Sequence, residues 1–434
     1  MRVMKIEFVS CVRLVMAIAV WGCIAVQARA ASDASRFDFG TGRSESGHHV
    51  VTPDTIYTNE AGFGFEPGSS VRVEIRKDLI SRTSFLTSDR PFLFSVAVPE
   101  GDYQVTVKFG DAQGISETTV RAESRRLMLE RVITRKGEIA TRSFIVNVRN
   151  MHLVPPPPTA PGGSEVRIKD RERDSFTWDD KLTLEFSGAA PKVSSVRIES
   201  VQVPRLFLFG DSTVTDQKAE PYASWGQMLP RFFGPDIAIA NYAESGETLK
   251  SFLTELRLDK ALSEIRPGDW VFMQFGHNDE KAQWPQTYVA ADTTYRSYLR
   301  VYIAEVRRLG ANPVLVTSPQ RRIFDAQGHV TNSHGAYPDA VRAVAVEEGV
   351  PIIDLTAMST MFYEALGPER APLAFADEGR EITHHDDYGA YELARCVVRG
   401  IQDLSLPLTR HLAPGIDRFD PARPDPSETF VLPQ

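Results

Sequence analysis

Two periods of apolar residues divide the chain. From about residue 36 to 203 the runs are short and alternate apolar with polar, as in VRVEIRKDL, FLFSVAVPEGDYQVTVKFGD, SFIVNVRNMHL and KLTLEFSG, with Gly and Pro between them. Alternation of period two is the mark of strands with one buried face, and strands at this spacing predict an antiparallel β-sandwich. The stretch VPEGDYQVTV reads as a hairpin. The run VPPPPTAPGG (154–163) reads as a loop inside this β domain, because strand-like KLTLEF and SVRIESVQV follow it.

From residue 204 to 408 the pattern changes. Continuous apolar runs (RLFLFG, IAIANYA, WVFMQFG, NPVLVTS, PIIDL) alternate with stretches of helical period such as YRSYLRVYIAEVRRLG and YPDAVRAVAVEEG. Strands buried on both faces between amphipathic helices predict an α/β domain with about five parallel strands. The tail, 409–434, is rich in Pro and Asp and has no period, which predicts loose packing or disorder.

The first thirty residues are of another kind. Arg2, Lys5 and Arg13 precede the apolar run LVMAIAVWGCIAV, which ends in QARA. The run is shorter than the roughly 20 apolar residues of a membrane span, so residues 1–30 read as a secretory signal peptide cut after Ala30. Its removal takes away Cys11 and Cys23 and leaves Cys396, so the mature chain has no internal disulfide. Arg2, Lys5, Arg13 and Arg29 leave with Glu7, which moves the formal charge from −8 to −11. An acidic chain of 434 residues with 42% hydrophobic content is globular and a poor ligand for nucleic acid. The location expected is outside the cytoplasm, periplasmic or secreted.

One strand ends abruptly in chemistry-bearing residues: LFLFGDSTV runs from Leu206 into Gly210, Asp211 and Ser212. Ser212 is either a helix N-cap or a nucleophile at the carboxyl edge of a parallel sheet. A nucleophile needs a base, a group to orient that base, and donors for an oxyanion. Gly246 follows the second strand, Asn278 follows the third, and His384 stands in the polar loop EITHHDDYG before the last helix. The cluster His384, His385, Asp386 and Asp387 is also a candidate metal site, although Ser212 would then have no role.

Taken together, GDSTV, NYAESGETLKSF, QFGHNDEK and THHDDYGAYELA resemble the four blocks of the SGNH (GDSL-like) hydrolases, and more narrowly the rhamnogalacturonan acetylesterases. FDFGTG, YTNEAGFGFEPG, AESRRLMLE and WDDKLTLEF are similar to the galactose-binding-like β domain that precedes the catalytic domain in longer members. The resemblance implies a three-layer, flavodoxin-like catalytic domain. It makes Ser212 the nucleophile, His384 rather than His385 the base, and the Ser212 N–H, Gly246 N–H and Asn278 side chain the oxyanion hole. The family has aspartate three residues before the histidine, where this chain has Glu381; Asp377 and Glu378 are the substitutes.

The implied activity is removal of O-acetyl groups from a pectic polysaccharide, with no metal or cofactor and no membrane insertion of the mature chain. Trp284, Arg321 and Arg322 are candidate contacts to sugar faces and galacturonate carboxylates. Esterase action on other acylated sugars, and a non-catalytic carbohydrate-binding role on the same fold, are the alternatives.

Overall fold

The computed structural model describes residues 34–40, 46–77, 82–153 and 163–432. The candidate signal peptide and most of the proline run lie outside these residues. Among the described residues no helix is long and apolar enough to cross a membrane.

The alternating half of the chain forms two sheets around one core. In the seven-stranded sheet, Ile139–Val148, Gly101–Gly110, Val193–Val201, Ser35–Phe39 and His49–Val51 lie in that order, with the pair Arg72–Lys77 and Arg82–Thr87 joined to Val193–Val201. The five-stranded sheet runs Phe63–Phe65, Phe92–Ala97, Lys181–Ala190, Ser116–Ala122, Arg126–Thr134. Pairing is antiparallel except between Ser35–Phe39 and His49–Val51. Alternate residues such as Tyr103, Val105, Val107 and Phe109 point into the core. There Phe37, Phe39, Phe65, Phe92, Phe94 and Phe186 meet mostly edge to face, the arrangement that the ring quadrupole favours.

VPEGDYQVTV is not a hairpin. Phe92–Ala97 and Gly101–Gly110 belong to different sheets, so the turn between them crosses from one layer to the other. Turn residues mark a reversal of the chain. Both flanking strands bury one face in the same core, and alternation is the same whether they pair or face each other.

The second half is a parallel sheet of five strands in the order Ala238–Asn241, Arg205–Gly210, Trp270–Gln274, Asn312–Val316, Ile352–Ile353. Each predicted strand is present. Leu206 and Leu208 face a core shared with Leu393, Cys396, Val397 and Ile401 of the last helix, Asp387–Asp403. Phe207 and Phe209 face the opposite core, with Leu299, Ile303 and Val306 of helix Arg296–Arg308. Helices on both faces give three layers, and Cys396 is a buried free thiol.

The tail packs, contrary to the expectation of disorder. Phe419 and Leu432 are buried, Phe430 lies against the rings of Tyr388 and Tyr391, and Arg399 donates to the Phe419 carbonyl at 2.6 Å. Its few apolar residues dock singly on the last helix, so no period announces them.

The two halves meet through buried charges. Arg205 pairs with Asp102 at 2.7 Å, Arg126 with Asp216 at 2.6 Å, Lys260 with Glu100 at 2.7 Å and Arg257 with Glu172 at 2.5 Å. Each pair takes one residue from either side of residue 204. The segment after the proline run also crosses over, placing Val166 and Trp178 in an α/β core.

Candidate active site

The strand Arg205–Gly210 lies between Ala238–Asn241 and Trp270–Gln274, so the loops after all three strands open at one edge of the sheet. Gly210 closes the strand where there is no room for a side chain: a Cβ there would fall 2.5 Å from Val214 Cγ2 and 2.8 Å from the Gln274 carbonyl oxygen. The chain then turns at once. The Asp211 carbonyl accepts from both Val214 N and Thr215 N at 3.0 Å, and its carboxylate accepts from Thr213 N and Oγ1 at 2.9 Å. Ser212 caps no helix; the next helix begins at Trp225, with Ser224 as its N-cap.

Ser212 Oγ lies 2.8 Å from His384 Nε2. The other ring nitrogen, Nδ1, is 3.2 Å from Glu381 Oε2, close enough for an ion pair but not aligned as a hydrogen bond. Catalytic contacts of this kind are often loose without substrate and tighten when it binds. The second Glu381 oxygen accepts from Ile382 N at 2.8 Å and Thr383 N at 3.0 Å. Partial burial opposes ionisation of this carboxyl, but the Thr383 N–H, His384 and the Ile382 N–H outweigh it and hold Glu381 below the usual carboxylate range. A proton on Nδ1 facing this carboxylate leaves Nε2 free to accept from Ser212.

The substitute acids are engaged elsewhere. Asp377 accepts from the Tyr222 hydroxyl at 2.8 Å, and Glu378 pairs with Arg380 on the surface at 2.9 Å. The members of the histidine and aspartate cluster diverge. His385 is buried, with Nε2 2.7 Å from the Tyr363 hydroxyl, and burial drives its pKa down to about 3. Asp386 caps the last helix through Gly389 N, and Asp387 pairs with Arg121 and Arg125.

Gly246 adopts φ +81°, a conformation that favours glycine, in the loop after Ala238–Asn241. Asn278 stands in the loop after Trp270–Gln274; its Nδ2 donates to the Glu247 carbonyl at 3.1 Å and its Oδ1 accepts from Lys281 at 2.7 Å. Both therefore come from strands that flank the Ser212 strand. Trp284 is 54% exposed in this same loop.

Arg321 and Arg322 are engaged internally. Arg321 pairs with Glu280 at 2.5 Å and donates to the Ser333 carbonyl at 2.9 Å. Arg322 donates to the Gly379 carbonyl at 2.6 Å and the Glu381 carbonyl at 3.3 Å, bracing the loop that carries the acid. Sequence reasoning also passed over Tyr222, whose ring stands edge-on to His384 at 5.9 Å. The buried polar residues beside Asn278 escaped it as well: burial drives His277 down to about 4 and raises Asp279 to about 8.

Residues 208–389 match the GDSL-like lipase/acylhydrolase family, and residues 35–154 match the galactose-binding domain-like module of the β-agarase/YXIM esterase-like proteins. The chain is 39% identical over 221 residues to the rhamnogalacturonan acetylesterase RhgT of Bacillus subtilis (strain 168), covering 94% of that protein and 48% of this one. The chain belongs to the GDSL-like acylhydrolases. This acylhydrolase is thus a serine carboxylic ester hydrolase of the SGNH type, preceded by a β-rich domain. It is also 25% identical over 379 residues to the uncharacterized esterase YxiM of the same organism, covering 90% of that protein and 85% of the acylhydrolase. A crystal structure of YxiM superposes with a TM-score of 0.47 at 23% identity, covering 86% of this chain and 99% of that one.

Proposed function

We propose that the protein is an exported O-acetyl esterase acting on an acetylated pectic polysaccharide, most specifically rhamnogalacturonan. The contact of Ser212 Oγ with His384 Nε2 at 2.8 Å, backed by Glu381 at 3.2 Å from Nδ1, carries the chemical part of this reading. The 39% identity to a rhamnogalacturonan acetylesterase supports the substrate class.

Ser212 attacks the acetyl carbonyl as His384 takes its proton, and Glu381 stabilises the imidazolium that forms. The Ser212 N–H, the Gly246 N–H and the Asn278 amide receive the negative charge on the carbonyl oxygen. One such donor contributes on the order of 3 kcal/mol to the barrier. As the bond from the acyl carbon to the sugar oxygen breaks, His384 gives its proton to that oxygen, and the sugar leaves as a free hydroxyl with the acetyl group on Ser212. Water activated by the same imidazole cleaves the acetyl-enzyme and releases acetate. Trp284 offers an exposed ring for a sugar face. Residues 1–30 direct export and are removed, residues 36–203 form the supporting β domain, and 204–408 the catalytic domain with 409–434 as its tail.

Acetate release from acetylated rhamnogalacturonan, acetylated xylan and an aryl acetate, compared for wild type and Ser212→Ala, tests the reading. The wild type is expected to prefer the pectic substrate, and the variant to lose activity on all three while keeping its fold. A preference for xylan would reassign the substrate, and an active Ser212→Ala enzyme would remove the nucleophile. Amino-terminal sequencing of the exported protein is expected to begin at Ala31.

A further inference from the structure

The segment RIKDRER (167–173) belongs to the β half, yet its basic side chains reach the loop that carries Gly246. Lys169 precedes, and Arg171 lies within, a single 3-10 turn, Asp170–Glu172, that buried side chains hold in place. The buried Glu172 carboxylate accepts from the Lys169 N–H at 2.8 Å, from Trp178 Nε1 at 2.8 Å, and from Arg257 at 2.5 and 3.0 Å. From this anchored turn Lys169 Nζ donates to the Ser245 carbonyl oxygen at 2.9 Å, and Arg171 Nη2 donates to the same oxygen.

That oxygen shares its peptide unit with the Gly246 N–H. In a planar trans peptide the C=O and N–H point in opposite directions. Two cations that hold the Ser245 oxygen toward the β half therefore turn the Gly246 N–H away from it. They also draw electron density toward the oxygen, which makes the N–H a stronger donor. The second amide donor has the same construction. Asn278 keeps Lys281 Nζ on Oδ1 at 2.7 Å, and one Nδ2 hydrogen is spent on the Glu247 carbonyl at 3.1 Å, so the other remains for the substrate.

The carboxylates around these cations limit the reach of their charge. Arg171 Nε pairs with Glu244 at 2.7 Å, and Lys169 pairs with buried Glu247 and stands 3.8 Å from Glu255. The cations thus act on the amide they touch and contribute little field beyond it.

We propose that Lys169, Arg171 and Lys281 are positioning residues of the oxyanion hole, each placing a cation on the carbonyl oxygen of an amide whose N–H receives the developing charge. The β half thereby takes part in catalysis without touching the substrate. This rests on the reading of Gly246 and Asn278 as oxyanion donors.

The test uses the full chain, an aryl acetate, active-site titration and an arylboronic acid whose tetrahedral adduct with Ser212 places an oxygen among the donors. In Lys281→Met and in Lys169→Met/Arg171→Met, kcat per titrated serine is expected to fall about three- to tenfold, a fraction of the loss of a whole donor. KM is expected to stay within about twofold, because uniform binding is untouched. The boronate dissociation constant is expected to rise in proportion to the loss of kcat. Lys281→Arg and Lys169→Arg/Arg171→Lys are expected to recover most of it.

A loss confined to the number of titratable sites, with normal turnover per site, would show a packing role only and overturn the proposal. Wild-type turnover and boronate affinity in both Met variants would overturn it too. Asn278→Ala then separates the causes: an activity loss of about 10²- to 10³-fold leaves the oxyanion assignment standing, and wild-type activity removes that assignment as well.

Discussion

The two halves of this acylhydrolase bury their charges in different ways. In the α/β half Ser212 follows a strand end and His384 and Glu381 come from the loop before the last helix; the three meet at 2.8 and 3.2 Å, with the histidine and the glutamate partly exposed. In the β half the sandwich core is aliphatic and aromatic, and several of its buried ionic groups, among them Asp102, Arg126 and Glu172, are turned to the junction. Arg126 meets Asp216, four residues after the serine, while Glu172 anchors the turn that grips the Gly246 loop. The halves are separate in pattern but not in electrostatics. Breaking a buried pair leaves an uncompensated charge, which costs far more than the pair ever contributes.

Cutting the chain between the two halves has the largest expected effect. A protein beginning at Pro204 is expected not to fold to an active state, because Arg205, Asp216, Arg257 and Lys260 would lose Asp102, Arg126, Glu172 and Glu100 together. Circular dichroism and active-site titration check this, and a stable active fragment would show that the junction charges rehydrate freely.

Within the catalytic half, Glu381→Gln keeps the size and removes the charge facing Nδ1. It is expected to lower kcat by about 10²- to 10⁴-fold, the upper end being the loss known for an aspartate-to-asparagine change in a serine protease. Glu381→Asp is expected to lose activity too, since the shorter chain cannot hold Ile382 N and Thr383 N with one oxygen and face His384 with the other. Full activity in Glu381→Gln would leave a Ser-His dyad.

At the junction, Arg126→Met is expected to destabilise by about 3–5 kcal/mol in denaturant melts, because Asp216 stays buried with its charge unpaired. Arg126→Met/Asp216→Asn is expected to recover part of that loss. A single variant as stable as wild type would mean that water reaches the pair.

A further effect is a change of slope with pH. Glu123 is fully buried beside the junction, and burial raises its pKa to about 8. The unfolded side chain ionises near 4.5 while the folded one stays neutral, so its contribution is full below about 4.5 and is lost as pH rises to about 8. Glu123→Gln keeps an acceptor for the Thr183 N–H and removes that titration. Relative to the variant, the wild type is expected to lose at most about 1.4 kcal/mol per pH unit across this window, and equal slopes would place Glu123 in water.

Much of this molecule is legible in its local patterns. Five continuous apolar runs are the five parallel strands, because a strand buried on both faces has no polar positions to interrupt it. Gly246 and Asn278 could be named from short blocks, since each sits in a loop after a strand and strand ends share one edge of a parallel sheet, whereas His384 stands in the loop before the last helix and is named from the resemblance of that loop. The setting of Glu381 was harder to read, because the two backbone N–H groups that hold one of its oxygens take their place only when the loop folds.

Period and composition, then, determine strands, helices and the edge at which the chemistry collects, for these follow from residues close together in the chain. They do not determine that VPEGDYQVTV spans two layers, that the tail docks on the last helix, or that Lys169 and Arg171 hold the Ser245 carbonyl. Those contacts join residues far apart in sequence. A lysine that braces a distant peptide has the same local pattern as one that faces water, and only the tertiary fold tells them apart.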